Sequence, residues 1–393
     1  MIYAQPNQKK FGLYIHWPFC LTKCPYCDFN SHVRTSVTWQ DWLKGLKQEM
    51  CFYGQRSWGH SLSSIFFGGG TPSLMPPEMV EELITTADKI WPFTADIEIS
   101  LEANPSSIEN QKIKAYRDCG VNRLSIGVQS LMDDALKLLG RYHDRQQAMQ
   151  AIDIAGNNFE NFSFDLIYAR PQQHLVEWEK ELKMALTLAA NHLSLYQLTI
   201  EPGTAFEKSY QAGYLTMPTE ELSADFYNLT NNITMDYGFH LYEVSNYAKS
   251  GYECQHNLTY WNYQDYIGIG PGAHGRLSFN GQKFASLQTK IPESWLHQVI
   301  HLGHGTKDFY CLTLNEQIQE RLLMGLRLSS GIDISRFNLE TGNYLSNSPL
   351  YQKLLFLHAQ DLITVTSKNF TVTANGRLRL NSILRYLLAN TDN

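Results

Sequence analysis

The sequence has no run of about twenty apolar residues, the length that a helix needs to cross a bilayer. It also lacks a basic segment followed by an apolar stretch at its start, so a secretory signal is not expected. Peripheral contact with a membrane is compatible with both absences. The prediction is a cytoplasmic protein without a transmembrane segment.

Positive charge is not in excess either. Lys and Arg number 32 against 38 Asp and Glu, which gives a net charge of −6. A general nucleic-acid binder usually has a basic patch, so nucleic acid is not an expected partner. With 393 residues, 43% of them hydrophobic, the chain is long enough for a sizeable core and for two domains.

Cysteine is too scarce and too scattered for a disulfide framework. Four of the seven cysteines are widely spaced and are expected to be free thiols: Cys51, Cys119, Cys254 and Cys311. This usage is typical of a reducing compartment.

The other three cysteines lie close together, in Cys20-Leu-Thr-Lys-Cys24-Pro-Tyr-Cys27, and no fourth follows nearby. Four thiolates would close a tetrahedral zinc site or fill every iron of a [4Fe–4S] cluster, whereas three leave one iron open. An open iron on a reducing cluster can bind a small chelating ligand and pass it an electron. The alternative is a structural zinc loop whose fourth ligand is a distant His or Cys.

Predicted strands and helices alternate about six times over the first two hundred residues. The strands span 11–17, 64–67, 96–101, 123–128, 163–168 and 192–200, with helical spacing between them, as in 77–90. The pattern predicts parallel β/α units that form an α/β barrel, closed or nearly closed. The polar motifs follow the carboxyl ends of these strands, where such barrels build their sites.

The pattern changes toward the end of the chain. Helices are predicted over 315–327, 346–360 and 376–390, and a hairpin over 362–366 and 370–373, which together indicate a small winged-helix-like domain. We expect a barrel domain over 1–300, with an aromatic-rich segment near 240–275, and a C-terminal domain over 301–393. The first ten residues are polar and are expected to be frayed.

Five short motifs stand in order along the chain. They are Tyr14-Ile-His16-Trp-Pro18-Phe19-Cys20, the cysteine loop, Gly68-Gly-Gly-Thr-Pro, Ser125-Ile-Gly-Val-Gln129 and Gly270-Pro-Gly-Ala-His274-Gly. Together they resemble the coproporphyrinogen dehydrogenase branch of the radical S-adenosylmethionine (SAM) family, above all its heme-chaperone members. The resemblance implies a radical SAM partial (β/α)6 barrel with a [4Fe–4S] cluster on Cys20, Cys24 and Cys27, whose open iron binds SAM.

Six residues match positions near the cluster-bound SAM of this family: Tyr14, Tyr26, Gly69, Gly70, Thr71 and Glu102. Glycines let backbone carbonyls approach the ammonium group of SAM closely. Taken alone, the glycine run is an ordinary strand-to-helix turn, and Glu102 is a surface carboxylate or a helix cap.

Three further residues, Gln129, Arg141 and Asp165, match positions that bind a second SAM in the dehydrogenase. Arg can fork onto a carboxylate, and Asp can accept from hydroxyls. The alternative is a salt bridge between Arg141 and Asp165 at the barrel rim. Both interpretations stay open, because a chaperone does not need a second SAM. His274 falls where the dehydrogenase has an apolar contact with SAM.

The stretch Cys254-Gln-His256-Asn257-Leu-Thr-Tyr260-Trp261 matches the H-N-x-x-Y-W motif of the heme-chaperone members. An imidazole can ligate heme iron, and Tyr and Trp can pack on a porphyrin. The resemblance predicts heme binding with His256 as iron ligand near the barrel mouth, and with Cys254 and His274 as alternatives. Spacing alone favours a buried polar cluster that supports the barrel.

Two departures separate the chain from the dehydrogenase pattern. Phe29 stands at the position of an extra cysteine, and only nineteen residues precede Cys20. Both favour a heme chaperone that transfers heme to acceptor apoproteins over an oxygen-independent coproporphyrinogen III dehydrogenase. A radical SAM methyltransferase, or a similar enzyme acting on another substrate, is the third hypothesis.

Overall fold

The computed structural model describes residues 9–57, 59–106, 109, 111–345 and 348–389. The first ten residues are predicted to be frayed, and residues 1–8 of this segment lie outside the described residues. The same is true of residues 346, 347 and 390 of the predicted C-terminal helices.

Seventeen strands are present in the described residues. They are β1 (Lys10–Trp17), β2 (Phe19–Cys20), β3 (His32–Val33), β4 (Ser61–Gly69), β5 (Phe93–Ala103), β6 (Arg123–Gln129), β7 (Asn161–Tyr168), β8 (His192–Gln197), β9 (His240–Leu241), β10 (Asn246–Ala248), β11 (Asp265–Ile269), β12 (His274–Phe279), β13 (Gln282–Gln288), β14 (Thr306–Cys311), β15 (Ile332–Asp333), β16 (Ile363–Val365) and β17 (Asn369–Val372).

The α-helices with described bounds are α1 (Trp39–Gly54), α2 (Pro77–Ile90), α3 (Ile113–Asp118), α4 (Asp133–Leu138), α5 (Arg145–Asn158), α6 (Leu175–Leu188), α7 (Ala205–Gln211), α8 (Glu220–Asp236), α9 (Gln255–Trp261), α10 (Pro292–Leu302), α11 (Leu314–Gly325), α12 (Ile334–Thr341), α13 (Pro349–Ala359), α14 (Ala374–Arg377) and α15 (Leu380–Leu388). A short 3-10 helix follows β4 at Pro72–Leu74. Within the described residues, every helix is too short or too polar to cross a membrane.

Six of the strands form the parallel β/α core that the sequence predicts. The large sheet runs in the order β14-β13-β12-β11-β1-β4-β5-β6-β7-β8-β10-β9, and its strands from β1 to β8 are mutually parallel. Alternate residues of β1, such as Phe11, Leu13 and Ile15, are fully buried in the main hydrophobic core. The order is linear, so the sheet is an open, partial barrel, and the predicted α/β fold class is confirmed.

The aromatic-rich segment extends this sheet on the other side of β1. β11 pairs with β1 in parallel, with Tyr14 opposite Gly268 and Ile15 opposite Ile269. β12, β13 and β14 then add antiparallel strands. This pairing carries the large sheet to Cys311, past residue 300, and we propose that the C-terminal domain begins after this strand.

The end of the chain has a hydrophobic core of its own, which extends from Ile318 to Leu387. β16 and β17 form the predicted hairpin, with Ile363 opposite Val372, and β15 adds a third strand. The single helix predicted over 376–390 is wrong in one respect, because the chain forms α14 and α15 with a break at Leu378 and Arg379.

Candidate functional site

A cavity of about 420 Å³ opens at the carboxyl ends of the parallel strands. It brings together most of the residues that the sequence singles out: Cys20, Cys24, Tyr26, Cys27, Gly69, Gly70, Thr71, Glu102, Gln129, Arg141 and Asp165. Tyr14 and His256 are not part of its lining. Tyr14 lies on β1, and its hydroxyl is 3.0 Å from Nδ1 of His16.

Each of the three cysteine sulfurs has at least one polar neighbour. The Thr71 hydroxyl donates to Cys20 Sγ at 3.3 Å, Arg141 Nη1 donates to Cys24 Sγ at 3.3 Å, and Cys27 Sγ lies 3.9 Å from the Ser31 hydroxyl. Burial is the main cause that raises the pKa of Cys20 and of Cys27.

The described residues contain no group of three or more His, Cys, Asp or Glu side chains that could hold a single metal ion. Three thiols that line one cavity, with hydroxyl and guanidinium donors against the sulfurs, fit the donor set of a [4Fe–4S] cluster with one open iron.

The cysteine loop is fastened to the glycine-rich loop that follows β11. Asn30 Nδ2 donates to the carbonyls of Pro271, at 2.9 Å, and Lys290, at 3.0 Å, while the carbonyl of Asn30 accepts from His16 Nε2 at 2.9 Å. Gly272 has φ +79, and a Cβ there would lie 2.4 Å from Asn30 Nδ2. The glycine motif therefore supports the loop, and its His274 is exposed and outside the cavity lining.

The glycines after β4 permit two close approaches. Gly69 has φ +116, and its N–H donates to Glu102 Oε2 at 3.2 Å. A Cβ at Gly70 would lie 2.7 Å from the carbonyl oxygen of Phe19 and 3.0 Å from Cys20 Sγ. This turn therefore has to be glycine for the cysteine loop and the end of β5 to meet.

Two carboxyl groups face the cavity from neighbouring strands. Burial raises the pKa of Glu102 to about 8, and the charge of Asp165 adds to the increase. Burial likewise raises the pKa of Asp165 to about 7, although Ser194, Arg141 and Ser125 oppose the change. Without a bound cation, much of the Glu102 population is therefore protonated at neutral pH.

The predicted alternative of a salt bridge between Arg141 and Asp165 is not formed. Arg141 Nη2 instead donates to Asn104 Oδ1 at 2.6 Å and to the Gly127 carbonyl at 2.8 Å. Gln129 lines the same side of the cavity with φ 67, a conformation that is uncommon for a residue with a side chain. Arg141 thus links the cysteine loop to the end of β6.

The expectation that His256 lies near the barrel mouth is wrong. Its ring packs against Gly12 of β1 and Ser64 of β4, each five residues before its strand ends, roughly 16 Å below the rim at about 3.3 Å per residue. The side chain is 1% exposed, and Nδ1 and Nε2 lie 2.8 Å and 2.6 Å from the hydroxyls of Ser64 and Tyr260.

The amino end of α9 is held by Glu98, which projects from β5. Its carboxylate accepts from the backbone N–H groups of Gln255 and His256, each at 3.0 Å, and from the Cys254 thiol at 3.3 Å. A carboxylate is favoured at a helix amino terminus, where N–H groups have no partner within the helix. Cys254, the alternative soft ligand, is 3% exposed, and burial raises its pKa to about 12.

Sequence reasoning missed several residues in these arrangements, among them Glu98 and His143. His143 lines the cavity, and its Nε2 donates to the Val128 carbonyl at 3.0 Å, so burial keeps the ring neutral with a pKa of about 4. The only sequence signal for His143 is its place two residues after Arg141. Glu98 is marked by a carboxylate in the middle of a predicted strand.

Comparisons with known proteins agree with this geometry. A family model described as the radical SAM superfamily matches residues 14–185, and one described as the HemN C-terminal domain matches residues 312–379. Among solved structures, coproporphyrinogen III oxidase (HemN) from Escherichia coli, a radical SAM enzyme, has a TM-score of 0.81 at 23% identity, over 97% of this chain and 91% of that chain. This likeness is one of fold.

Curated relatives extend over nearly the whole chain. The heme chaperone HemW of Haemophilus influenzae is 36% identical over 390 residues, which are 98% of this chain and 99% of the relative. HemW of Bacillus subtilis is 35% identical over 373 residues, 94% and 97% of the two chains. Radical S-adenosyl methionine domain-containing protein 1, mitochondrial, of Danio rerio is 38% identical over 333 residues, 84% of this chain and 75% of the relative.

Proposed function

The chain belongs to the HemW heme-chaperone family of the radical SAM superfamily, and we propose that it binds a [4Fe–4S] cluster, SAM and heme and transfers the heme to acceptor apoproteins. The observation that carries the proposal is the convergence of Cys20, Cys24 and Cys27 on one cavity with Glu102. The assignment of heme as a ligand rests on the name of the relatives. The acceptor apoproteins are part of the proposal.

In this proposal the residues of the cavity have different roles. Cys20, Cys24 and Cys27 would hold the cluster, which supplies an open iron to the amino and carboxylate groups of SAM. Arg141 donates to Cys24 Sγ and so places a positive charge beside the cluster that these cysteines would hold. Glu102, half-buried beside Gly69, supplies a carboxylate that a cationic ligand would ionise.

The remaining positions predicted to contact SAM belong to the same proposal. Gly69, Gly70 and Thr71 form the turn above β4, and Tyr26 covers the cavity from the cysteine loop. Tyr14 lies below them on β1 and positions His16. Gln129, Arg141 and Asp165 would form a second polar site on the β6 and β7 side.

Heme binding is proposed through α9. His256 is the candidate iron ligand, but both of its ring nitrogens are hydrogen-bonded inside the barrel. Iron binding by His256 therefore requires that its bond to Ser64 or to Tyr260 be broken. The cytoplasmic location is part of the proposal as well, and some relatives carry the word mitochondrial in their names.

The competing function is the radical decarboxylation of coproporphyrinogen III. The reason to consider it is that the fold of this chain is similar to that of HemN. One observation opposes it. Phe29, at the position of the extra cysteine of the dehydrogenase, lines the cavity and is 60% exposed, so no thiol is available there.

The deciding experiment combines two assays on protein that is purified without oxygen and reconstituted with iron and sulfide. Hemin titration is expected to give a Soret band, and coproporphyrinogen III with SAM and a reductant is expected to stay unconverted. Conversion without hemin binding would replace the chaperone by the dehydrogenase.

A further inference from the structure

The H-N-x-x-Y-W motif has two faces. His256 and Tyr260 form a hydrogen bond on the barrel side of α9, whereas Trp261, the last residue of the helix, is half-buried and lines a separate cleft. This cleft lies between α9, α11, α12 and the turn before β17 and has a volume of about 290 Å³. We call it the Trp261 cleft.

The walls of the Trp261 cleft combine apolar and cationic side chains. Apolar surface comes from Trp261, Leu328, Ile332 and Phe337, and positive charge comes from Arg321, Arg336 and Lys368. A volume near 300 Å³ is at the lower end of the range for small-molecule sites, so the cleft suits one edge of a large planar ligand.

Positive charge exceeds negative charge around the cleft, although the whole chain has a net charge of −6. Arg321 and Arg336 share a single carboxylate, that of Glu340. Lys368 is exposed and has no ion pair among the described residues. The surplus favours an anionic ligand.

Negative groups near the cleft are already engaged. Asp333 lines it, but its Oδ1 accepts from the N–H of Arg336 and caps α12. Glu320 accepts from the Tyr263 hydroxyl and is paired with Arg276 in a two-pronged contact. Arg327 adds a further positive charge, with its guanidinium 5.8 Å from the centre of the Trp261 ring.

One buried cation of the cleft has unused hydrogen-bonding capacity. Arg321 is 9% exposed and contacts Glu340 through Nη1, while its Nε–H has no hydrogen-bond partner among the described residues. Its guanidinium lies 4.6 Å from the centre of the Tyr263 ring. A buried guanidinium with an unmet donor is costly unless something else compensates it.

We infer that the Trp261 cleft binds the carboxylate edge of a planar aromatic ligand, with the carboxylates on Arg336, Lys368 and Arg321 and the aromatic face against Trp261. The identity of the ligand rests on the proposed function: it is heme, whose two propionates extend from one edge of the ring. Arg is suited to carboxylates because its fork matches two oxygens. The iron ligand is then a separate question from the recognition of the propionates.

The test compares the parent with the double variant Arg336→Gln, Lys368→Gln. Arg321 is left intact because it is 9% exposed and its removal would disturb a buried pair with Glu340, whereas the contact of Arg336 with Glu340 is more exposed. The control is Arg385→Gln, since Arg385 is exposed on α15 and, among the described residues, forms hydrogen bonds only within its own helix. The probes are hemin, hemin dimethyl ester and iron-free protoporphyrin, with Soret absorbance and porphyrin fluorescence as readouts.

The double variant is expected to bind hemin and protoporphyrin at least tenfold more weakly than the parent, with an unchanged Soret maximum. The dimethyl ester should bind to parent and double variant alike, because it has no carboxylate to lose. A double variant with parental hemin affinity, or an equal loss for the ester, overturns the inference while the chaperone function stands. A parent that binds neither hemin nor protoporphyrin overturns both.

Discussion

The hydroxyl of Tyr260 lies 2.6 Å from Nε2 of His256, in the interior of the barrel. With Ser64 on the other ring nitrogen, the imidazole has no open position for a metal. Burial lowers its pKa to about 3, so the ring is neutral over the physiological range. The candidate heme ligand is thus also a part of the structure that joins α9 to the barrel.

His256→Ala is expected to shift or weaken the Soret band of added hemin and also to lower the stability of the fold. The substitution leaves the hydroxyls of buried Ser64 and half-buried Tyr260 without this partner, and a buried unpaired group such as Ser64 costs about 1–3 kcal/mol. Absorbance titration and urea unfolding measure the two effects separately. His240→Ala, on the exposed strand β9, is the control.

A matched variant separates ligation from support. Tyr260→Phe keeps the aromatic ring and frees Nε2, so hemin affinity should be maintained or increased if this nitrogen binds iron. If His256→Ala keeps the parental spectrum and affinity, the histidine is structural only.

Replacement of Cys20, Cys24 and Cys27 together by Ala is expected to abolish the broad brown absorbance of reconstituted protein and to leave about no cluster iron. All three sulfurs line the same cavity, and each supplies one thiolate. Cys51→Ala with Cys311→Ala is the control, since both of these thiols are exposed and remote in sequence. Iron retained by the triple variant would show that the cluster is held elsewhere.

Glu102→Gln is expected to weaken SAM binding by about 1–3 kcal/mol, the value of a charge-assisted hydrogen bond. Because the pKa of Glu102 is about 8 in the free protein, a cationic ligand that ionises it should release a proton near pH 7. Calorimetry in two buffers of different ionisation enthalpy detects this release. Asp134→Asn, at a fully exposed carboxylate, should change neither quantity. Parental affinity in Glu102→Gln would reject the assignment.

The stability of the cluster-free protein is expected to fall as the pH rises. The folded state raises the pKa of Glu102 from 4.5 to about 8, so its contribution is fully present below pH 4.5 and is lost as the pH passes about 8. The loss is on the order of a few kcal/mol, at about 1.4 kcal/mol for each pKa unit. Asp165 acts in the same direction up to about pH 7.

Urea unfolding at several pH values between 5 and 9 measures this dependence, and Glu102→Gln should flatten it. If the free energy of unfolding changes with pH by the same amount in the parent and in Glu102→Gln, other groups cause the loss of stability as the pH rises.

Reconstituted protein with SAM and a reductant is expected to leave coproporphyrinogen III unconverted. Phe29 supplies no thiol at the mouth of the cavity, where its ring is 60% exposed. Chromatography of the porphyrin products checks this, with the same preparation shown to hold its cluster. Sustained formation of protoporphyrinogen would restore the dehydrogenase function.

Local patterns were sufficient to predict the parallel core. The helix predicted over 77–90 coincides with α2, because Pro77 fixes its first turn and its apolar residues recur at helical spacing. The strand predicted over 64–67 is longer in the structure, Ser61–Gly69, because Ser61, Gly68 and Gly69 pair with β1 although they are not apolar, while Ser63 falls at a bulge. The order of the strands and the motifs that follow them were therefore predictable, and the lengths of the strands were not.

Long-range pairing was not predictable in this way. Nothing local in Asp265–Ile269 indicates that this strand pairs with β1 in parallel, which places Gly270 beside His16. The burial of His256 also depends on distant polar partners, Ser64 and Glu98, which make the barrel interior suitable for a polar helix. The cysteine cavity was predicted because its residues follow strand ends. How far inside the barrel α9 places His256 was not predicted.

The shortness of α9 determines how His256 can become accessible. The helix has seven residues, and isolated helices below roughly 12–15 residues are marginal in water. It is therefore stable as a helix only while Glu98 holds its amino end and the barrel covers its side chains. Withdrawal of His256 is then a local unfolding event and not the swing of a rigid arm. The amides of α9 should exchange with deuterium as one unit, and faster than those of β1.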